Sequence, residues 1–237
     1  MKQLKLGIKP RIDEAKPIAK RFFRVWLGPK QIPKQFEIWW QRFKDMHPSY
    51  DFVTIRDNHD IDLPPEIVPI YNKAHSYAGR SDILRILAPL QHGGVYIDTD
   101  MMPLKPFDSL IEDDPRLFIG LRSGKSFNSA VFGARQGDPA LQACIEALPS
   151  WYERHESRAC SVSTGPAFVS SVLFGREDVR HLPIKTFYPY PEWGSPSKED
   201  KNEMFSDSNN FPPEMFAAHY STNSWGGNPN KKNRTKK

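Results

Sequence analysis

Residues 93–104 read GGVYIDTDMMPL: a glycine pair, a short apolar run and two aspartates one residue apart. An unpaired carboxylate in such surroundings costs several kcal/mol, so Asp98 and Asp100 require a partner. The side-chain period of a strand is two. It predicts that both carboxylates lie on one side, about 7 Å apart at Cα, with Thr99 facing the other way. The carboxyl end of a strand is also where α/β folds bind ligands. A hard divalent cation, Mn²⁺ or Mg²⁺, completed by phosphate oxygens and water, would reconcile the two charges. The residues leave three readings open: exposed turn carboxylates, a haloacid-dehalogenase-like phosphatase using Asp98 and Asp100, or a nucleotide-sugar transferase.

The flanking sequence predicts an alternating α/β chain. RFFRVWLG (21–28) reads as a buried strand. A helix starts at Pro33 with Phe36, Trp39, Trp40 and Phe43 on one face, and His47-Pro48 stops it. YDFVTIRD (50–57) reads as a second strand, and strand, helix, strand opens a nucleotide-binding α/β half. Residues 61–69 are proline-dense and predicted as loop. SDILRILAPLQH (81–92) predicts a helix with Ile83, Leu84, Leu87 and Leu90 inward, kinked by Pro89 and ended by Gly93-Gly94. Strands are predicted at 95–98, 117–121 and 130–134. Helices are predicted from Asp138, as N-cap before Pro139, and over 164–174.

Composition sets the class. The chain has 237 residues, 38% hydrophobic and 26% charged, enough for one sizeable domain with a real core. We expect a single domain over 1–226 and a basic, disordered tail over 227–237. No apolar stretch approaches the roughly 20 residues of a membrane span, and the basic N-terminus has no signal-peptide core. Two cysteines, Cys144 and Cys160, make no disulfide framework and predict a reducing compartment. These features predict a cytoplasmic protein, touching the inner membrane face through its basic ends. The net charge of +5 raises a third class, a basic nucleic-acid-binding module. That reading gives no reason for an ordered pattern of Asp82, Arg85, Asp98 and Asp100.

The whole string 81–107, SDILRILAPLQHGGVYIDTDMMPLKPF, resembles the DXD region of glycosyltransferase family 32. That family includes yeast-type initiating α-1,6-mannosyltransferases and bacterial capsular and lipopolysaccharide sugar transferases, and is distantly similar to the glucosylating clostridial toxins. The resemblance extends over RFFRVWLGPKQIP (21–33), HPSYDFVTIRD (47–57), NSAVFGARQGDPAL (128–141), TGPAFV (164–169) and AAHYSTNSW (217–225). Phe23-Arg24 and Pro89 depart from its usual pattern. It implies a GT-A fold, a mixed central sheet flanked by helices, and a retaining transferase using a nucleotide sugar, UDP-linked in preference to GDP-linked, with Mn²⁺. The acceptor would be a glycan, glycolipid or protein.

Carried onto this sequence, the resemblance makes Asp100 a direct metal ligand and Asp98 a contact of the donor and the metal's water shell. Asp82 and Arg85, three apart on a helix and so on one face, would hold the donor sugar's hydroxyls. The alternative for that pair is a surface ion pair. Trp26 ends the first strand, either stacked on a nucleotide base or packed in the core. His219 would be the third metal or diphosphate contact, followed by Ser224 and Trp225 on a closing segment. Asn128 is a further donor-site candidate, or a turn cap.

Overall fold

The computed structural model describes residues 16–57, 60–74, 76–124, 126–189 and 197–222. Ser224, Trp225 and the basic tail lie outside these residues. The first half alternates β1 (Arg21–Val25), α1 (Lys34–Met46), β2 (Asp51–Ile55), α2 (Val68–Lys73), α3 (Tyr77–His92) and β3 (Gly94–Ile97). Then follow β4 (Met101–Pro103), α4 (Asp108–Glu112), β5 (Leu117–Ser123), β6 (Ser126–Ala134) and α5 (Pro139–His155). The remainder is α6 (Cys160–Ser163), α7 (Pro166–Leu173), β7 (Val179–Leu182), α8 (Lys198–Met204) and β8 (Ala217–His219).

Among the described residues a mixed six-stranded sheet runs in the order β2-β1-β3-β6-β5-β7. β1 pairs parallel with β2 and β3, and β6 runs antiparallel between β3 and β5. The chain leaves β1 toward β2 on one side and returns to β3 on the other. The carboxyl ends of β1 and β3 therefore form a topological switch point, the place where open α/β sheets hold ligands.

Alternation along β1 fixes the two layers. Phe23 and Val25 pack with Ile83, Leu84 and Leu87 of α3, whereas Phe22 packs with Trp40 and Phe43 of α1. Arg24 shares the α1 face. It is buried, bonded to Thr54 and Glu37, with its guanidinium 4.5 Å from the Trp40 ring. The predicted α1 face is observed, with Phe36, Trp39, Trp40 and Phe43 all buried. The glycine pair is explained by space. Gly94 has φ +127°, and an added Cβ would stand 2.7 Å from the Arg21 carbonyl oxygen across the β1–β3 pairing.

Several predicted boundaries move. The loop over 61–69 ends inside α2, because Val68-Pro69 supplies a helical first turn. α3 starts four residues earlier than read, at Tyr77, because the Ser76 hydroxyl accepts the Gly79 N–H as a cap. It continues through Pro89 to His92. The helix read over 164–174 begins at Pro166, after a separate α6. The Asp138 cap is observed, its carboxylate accepting the Ala140 N–H.

His47 does more than stop α1. It is buried against Phe22, Phe43, Tyr50 and Phe107, its Nδ1–H donating to the Phe43 carbonyl at 2.7 Å. Its Nε2 accepts the Phe107 N–H at 2.9 Å, which fixes the neutral tautomer. Burial lowers its pKa, with the Phe43 bond and Asp108 opposing. The unfolded chain then takes up this proton first, so stability falls as pH drops through about 6.5. Urea unfolding between pH 7.5 and 5 should show that loss in the wild type and a flatter profile in His47→Gln. Identical slopes would remove the role assigned to His47.

Candidate active site

β3 ends at Ile97, so the two aspartates do not sit on a strand as predicted. Asp98-Thr99-Asp100 forms a turn, closed by the Met101 N–H donating to the Asp98 carbonyl at 3.2 Å. The predicted directions nevertheless hold. The Thr99 hydroxyl points to β1 and donates to the Val25 carbonyl, while both carboxylates face His219.

His219 arrives through a second, two-stranded sheet in which Met101 of β4 pairs directly with His219 of β8. Its Nε2 lies 3.2 Å from Asp100 Oδ1 and 3.8 Å from Asp98 Oδ2. One ligand atom from each of the three residues falls within 4.8 Å of the others. Two carboxylates and an imidazole at this spacing suit a divalent ion of the Mn²⁺ type, so the donor set fits such an ion. The His219 ring faces both carboxylates. Burial disfavours its imidazolium, but Asp100 and Asp98 outweigh that and raise its pKa. Burial likewise opposes ionisation of Asp100, yet His219 and two Thr222 donors hold its carboxyl well below the usual range. Those donors are the Thr222 N–H and hydroxyl, both on Oδ2, at 2.8 and 2.9 Å. Between them, Ser221 has φ 58° and its hydroxyl lies 3.1 Å from His219 Nδ1.

Asp82 and Arg85 are not a surface pair. Each is 6% exposed, and the Arg85 Nη2 lies 3.2 Å from Asp82 Oδ1. The same guanidinium reaches Asp98 Oδ1 at 3.3 Å, donates to the Ser129 carbonyl and hydroxyl, and lies 4.9 Å from the Tyr96 ring. Arg85 thus ties the helix pair to the acidic turn. Burial raises the Asp82 pKa to about 6 against the pull of Arg85 and Thr164. The Asp98 pKa is also raised by burial, with Arg85 and His219 opposing.

Four supporting residues were not assigned from sequence. The Tyr96 hydroxyl donates to Asp98 Oδ1 at 2.6 Å, and a strand period of two carried that signal. Thr164 donates to Asp82 Oδ2 at 3.1 Å, Ser129 accepts Arg85, and Thr222 docks on Asp100. Gly165 beside Thr164 lets the backbone close on the site, since a Cβ there would meet Asp82 Oδ2 at 2.9 Å.

Trp26 is buried among Phe36, Trp39 and Met102, its indole N–H donating to the Lys30 carbonyl at 2.7 Å. That is the core arrangement of the two considered. The Asn128 side-chain oxygen accepts the Ala130 N–H, a local cap, one residue from the Arg85 partner Ser129.

Residues 33–117, from the α1 cap to the start of β5, match the family model described as a glycosyltransferase sugar-binding region containing DXD motif. The resemblance read from the sequence is thus found again over the stretch that carries Asp82, Arg85, Asp98 and Asp100, whereas His219 lies outside it. The chain is 28% identical over 158 residues to the initiation-specific α-1,6-mannosyltransferase of Candida albicans, covering 60% of this chain and 37% of that one. It is 23% identical over 166 residues to inositol phosphoceramide mannosyltransferase 3 of Schizosaccharomyces pombe, covering 68% and 46%. It therefore spans less than half the length of these curated relatives. Among solved structures, the PaToxG glycosyltransferase aligns with TM-score 0.58 and 21% identity over 67% of this chain and 69% of that one. The galactosyltransferase LgtC aligns with TM-score 0.51 and 9% identity over 86% and 88%. The fold is the GT-A type.

Proposed function

We propose that this protein is a metal-dependent, retaining glycosyltransferase. In this reading it moves a hexosyl group from a nucleotide sugar, UDP-linked in preference to GDP-linked, to a hydroxyl of a glycan or glycolipid. The observation that carries this reading is the convergence of Asp98, Asp100 and His219 beside the buried Asp82–Arg85 pair at the switch point. The mannosyltransferase relatives support the reaction class. The UDP preference draws on the UDP-bound glycosyltransferase domain of the YGT toxin, which shares the fold with TM-score 0.51 at 10% identity over 70% of this chain and 80% of that one.

The nucleotide has a place to lie. A cleft of about 330 Å³ opens past the ends of β1 and β2, lined by Leu27, Gly28, Arg56, Asp57, Tyr71, Tyr77 and Arg80. The half-buried Tyr77 ring there offers a stacking face for a base, and the arginines offer donors to phosphate. The donor sugar would then reach the Asp82–Arg85 pair, whose carboxylate and guanidinium accept from and donate to ring hydroxyls. Asp98, Asp100 and His219 would hold Mn²⁺ or Mg²⁺, which supplies Lewis-acid stabilisation of the leaving diphosphate when bound. Arg85 favours the ionised form of Asp98 against the effect of burial and fixes its direction. The acceptor hydroxyl attacks from the face the diphosphate leaves, and its proton passes to the departing phosphate oxygen. We place Ser224 and Trp225 as donors to the same oxygens, and the basic ends against an anionic membrane. No described helix is long and apolar enough to cross a membrane.

The test is a screen of UDP- and GDP-hexoses for Mn²⁺-dependent hydrolysis, with anomer detection by NMR. We expect turnover of a UDP-hexose, lost in EDTA, restored by Mn²⁺ and giving retained configuration. Absence of hydrolysis together with no Mn²⁺-dependent nucleotide binding would refute the assignment.

A further inference from the structure

A second cavity, of about 250 Å³, opens where the β5–β6 hairpin meets α6 and α7, lined by Arg122, Ser126, Phe127, Ser161, Val162 and Pro166 among others. It adjoins the site along two paths. On β6, Phe127 lies two residues before Ser129, the Arg85 partner, and three before Ala130, whose carbonyl accepts the Asp98 N–H at 2.7 Å. At about 3.3 Å per strand residue this is roughly 7–10 Å of backbone. On the helical side, one point at Gly165 lies 2.9 Å from Asp82 Oδ2 and 3.0 Å from the Ser161 Cα. The cavity wall and the Asp82 carboxylate thus share one turn of chain.

The lining has a definite chemistry. Val162 and Pro166, both half-buried, give an apolar wall suited to the C–H face of a sugar or cyclitol ring, whereas the Phe127 side chain is fully buried in the core. The Ser161 hydroxyl has no hydrogen-bond partner and Arg122 no ion pair among the described residues. The Ser123 and Ser126 hydroxyls share one hydrogen bond of 2.6 Å, which leaves one of their two protons to donate. Among the titratable side chains lining the cavity Arg122 is the cation, and a guanidinium fork matches a phosphate in two parallel bonds.

We propose that this cavity is the acceptor site and that the acceptor is a phosphorylated sugar or cyclitol, its ring on Val162 and Pro166 and its phosphate on Arg122. This rests on the glycosyltransferase reading above. In the transfer, the bond from the donor's anomeric carbon to the diphosphate oxygen breaks and a bond to the acceptor oxygen forms. The acceptor's proton leaves on the nucleoside diphosphate.

The test uses the full chain as wild type, Arg122→Ala and Ala167→Trp. Arg122 and Ala167 are both exposed, and the tryptophan would fill the cavity. Saturation-transfer NMR with inositol 1-phosphate and glucose 6-phosphate should show binding to the wild type, at least about tenfold weaker in Arg122→Ala and lost in Ala167→Trp. Binding of UDP with Mn²⁺ should be unchanged in both variants. myo-Inositol should bind more weakly than its phosphate and equally to wild type and Arg122→Ala. Vesicles containing phosphatidylinositol, if retained in an Arg122-dependent way, identify a lipid headgroup as the source of the phosphate; response to the soluble esters alone identifies a free one. Sugar-phosphate binding that survives both variants, or is matched by inorganic phosphate alone, overturns the acceptor assignment while UDP binding stands. Failure of the wild type to bind UDP with Mn²⁺ overturns the glycosyltransferase reading beneath it.

Discussion

Arg85→Met should cost about 3–5 kcal/mol of stability at pH 7, the range for breaking a buried ion pair from one side, and abolish sugar transfer. The guanidinium serves Asp82, Asp98 and Ser129 at once, and both carboxylates are largely enclosed. Methionine fills the volume and answers none of these groups. The sign of the pH effect follows from Asp82, whose folded pKa of about 6 lies above its ordinary 3.8 even with Arg85 beside it. A carboxyl raised on folding contributes most at low pH and loses that contribution as pH rises toward the folded value. Removing Arg85 raises it further, so the variant should regain stability between pH 7 and pH 4.5 relative to wild type. Chemical unfolding at the two ends of that range decides it. A variant within about 1 kcal/mol of wild type at pH 7, with the same pH slope, would show that the pair is structurally idle.

Asp100 separates chemistry from docking. Asp100→Ala and Asp100→Asn should both lower donor turnover by about three orders of magnitude, the equivalent of several kcal/mol of charge stabilisation. Their structural effects should differ. Asp100 Oδ2 receives the N–H and hydroxyl of Thr222, and the Asp100 carbonyl receives the Tyr220 N–H. Asparagine keeps a side-chain oxygen for Thr222; alanine removes the Oδ2 acceptor, at about 1–3 kcal/mol for a buried hydrogen bond. Hydrogen exchange at Thr222 should therefore accelerate in the alanine variant and stay near wild type in the asparagine variant. Wild-type turnover in either one under Mn²⁺ would end the metal assignment.

The sequence showed those parts of the site whose geometry is local. Two aspartates one residue apart must project together whether strand or turn carries them, and the structure uses a turn. Asp82 and Arg85 face one point because a helix brings i and i+3 together. The α1 and β1 faces were readable for the same reason of period. What stayed hidden depends on partners distant in the chain. Thr164 meets Asp82 across 82 residues, Ser129 meets Arg85 across 44, and Thr222 meets Asp100 across 122. No local period encodes the β4–β8 pairing that delivers His219, which was anticipated through family resemblance. Trp26 shows the converse: a strand-end aromatic has the same sequence pattern whether it faces a ligand or, as here, packs on Trp39 and Met102.

The pairing of Met101 with His219 also sets an order of events in time. Ribosomes add about 5–20 residues per second, and 122 residues separate Asp100 from the threonine that caps it. For on the order of ten seconds, then, the nascent chain carries its acidic turn with neither imidazole nor threonine to answer it. The parallel half of the sheet can assemble in that interval, but the three-residue cluster can form only once His219 has emerged.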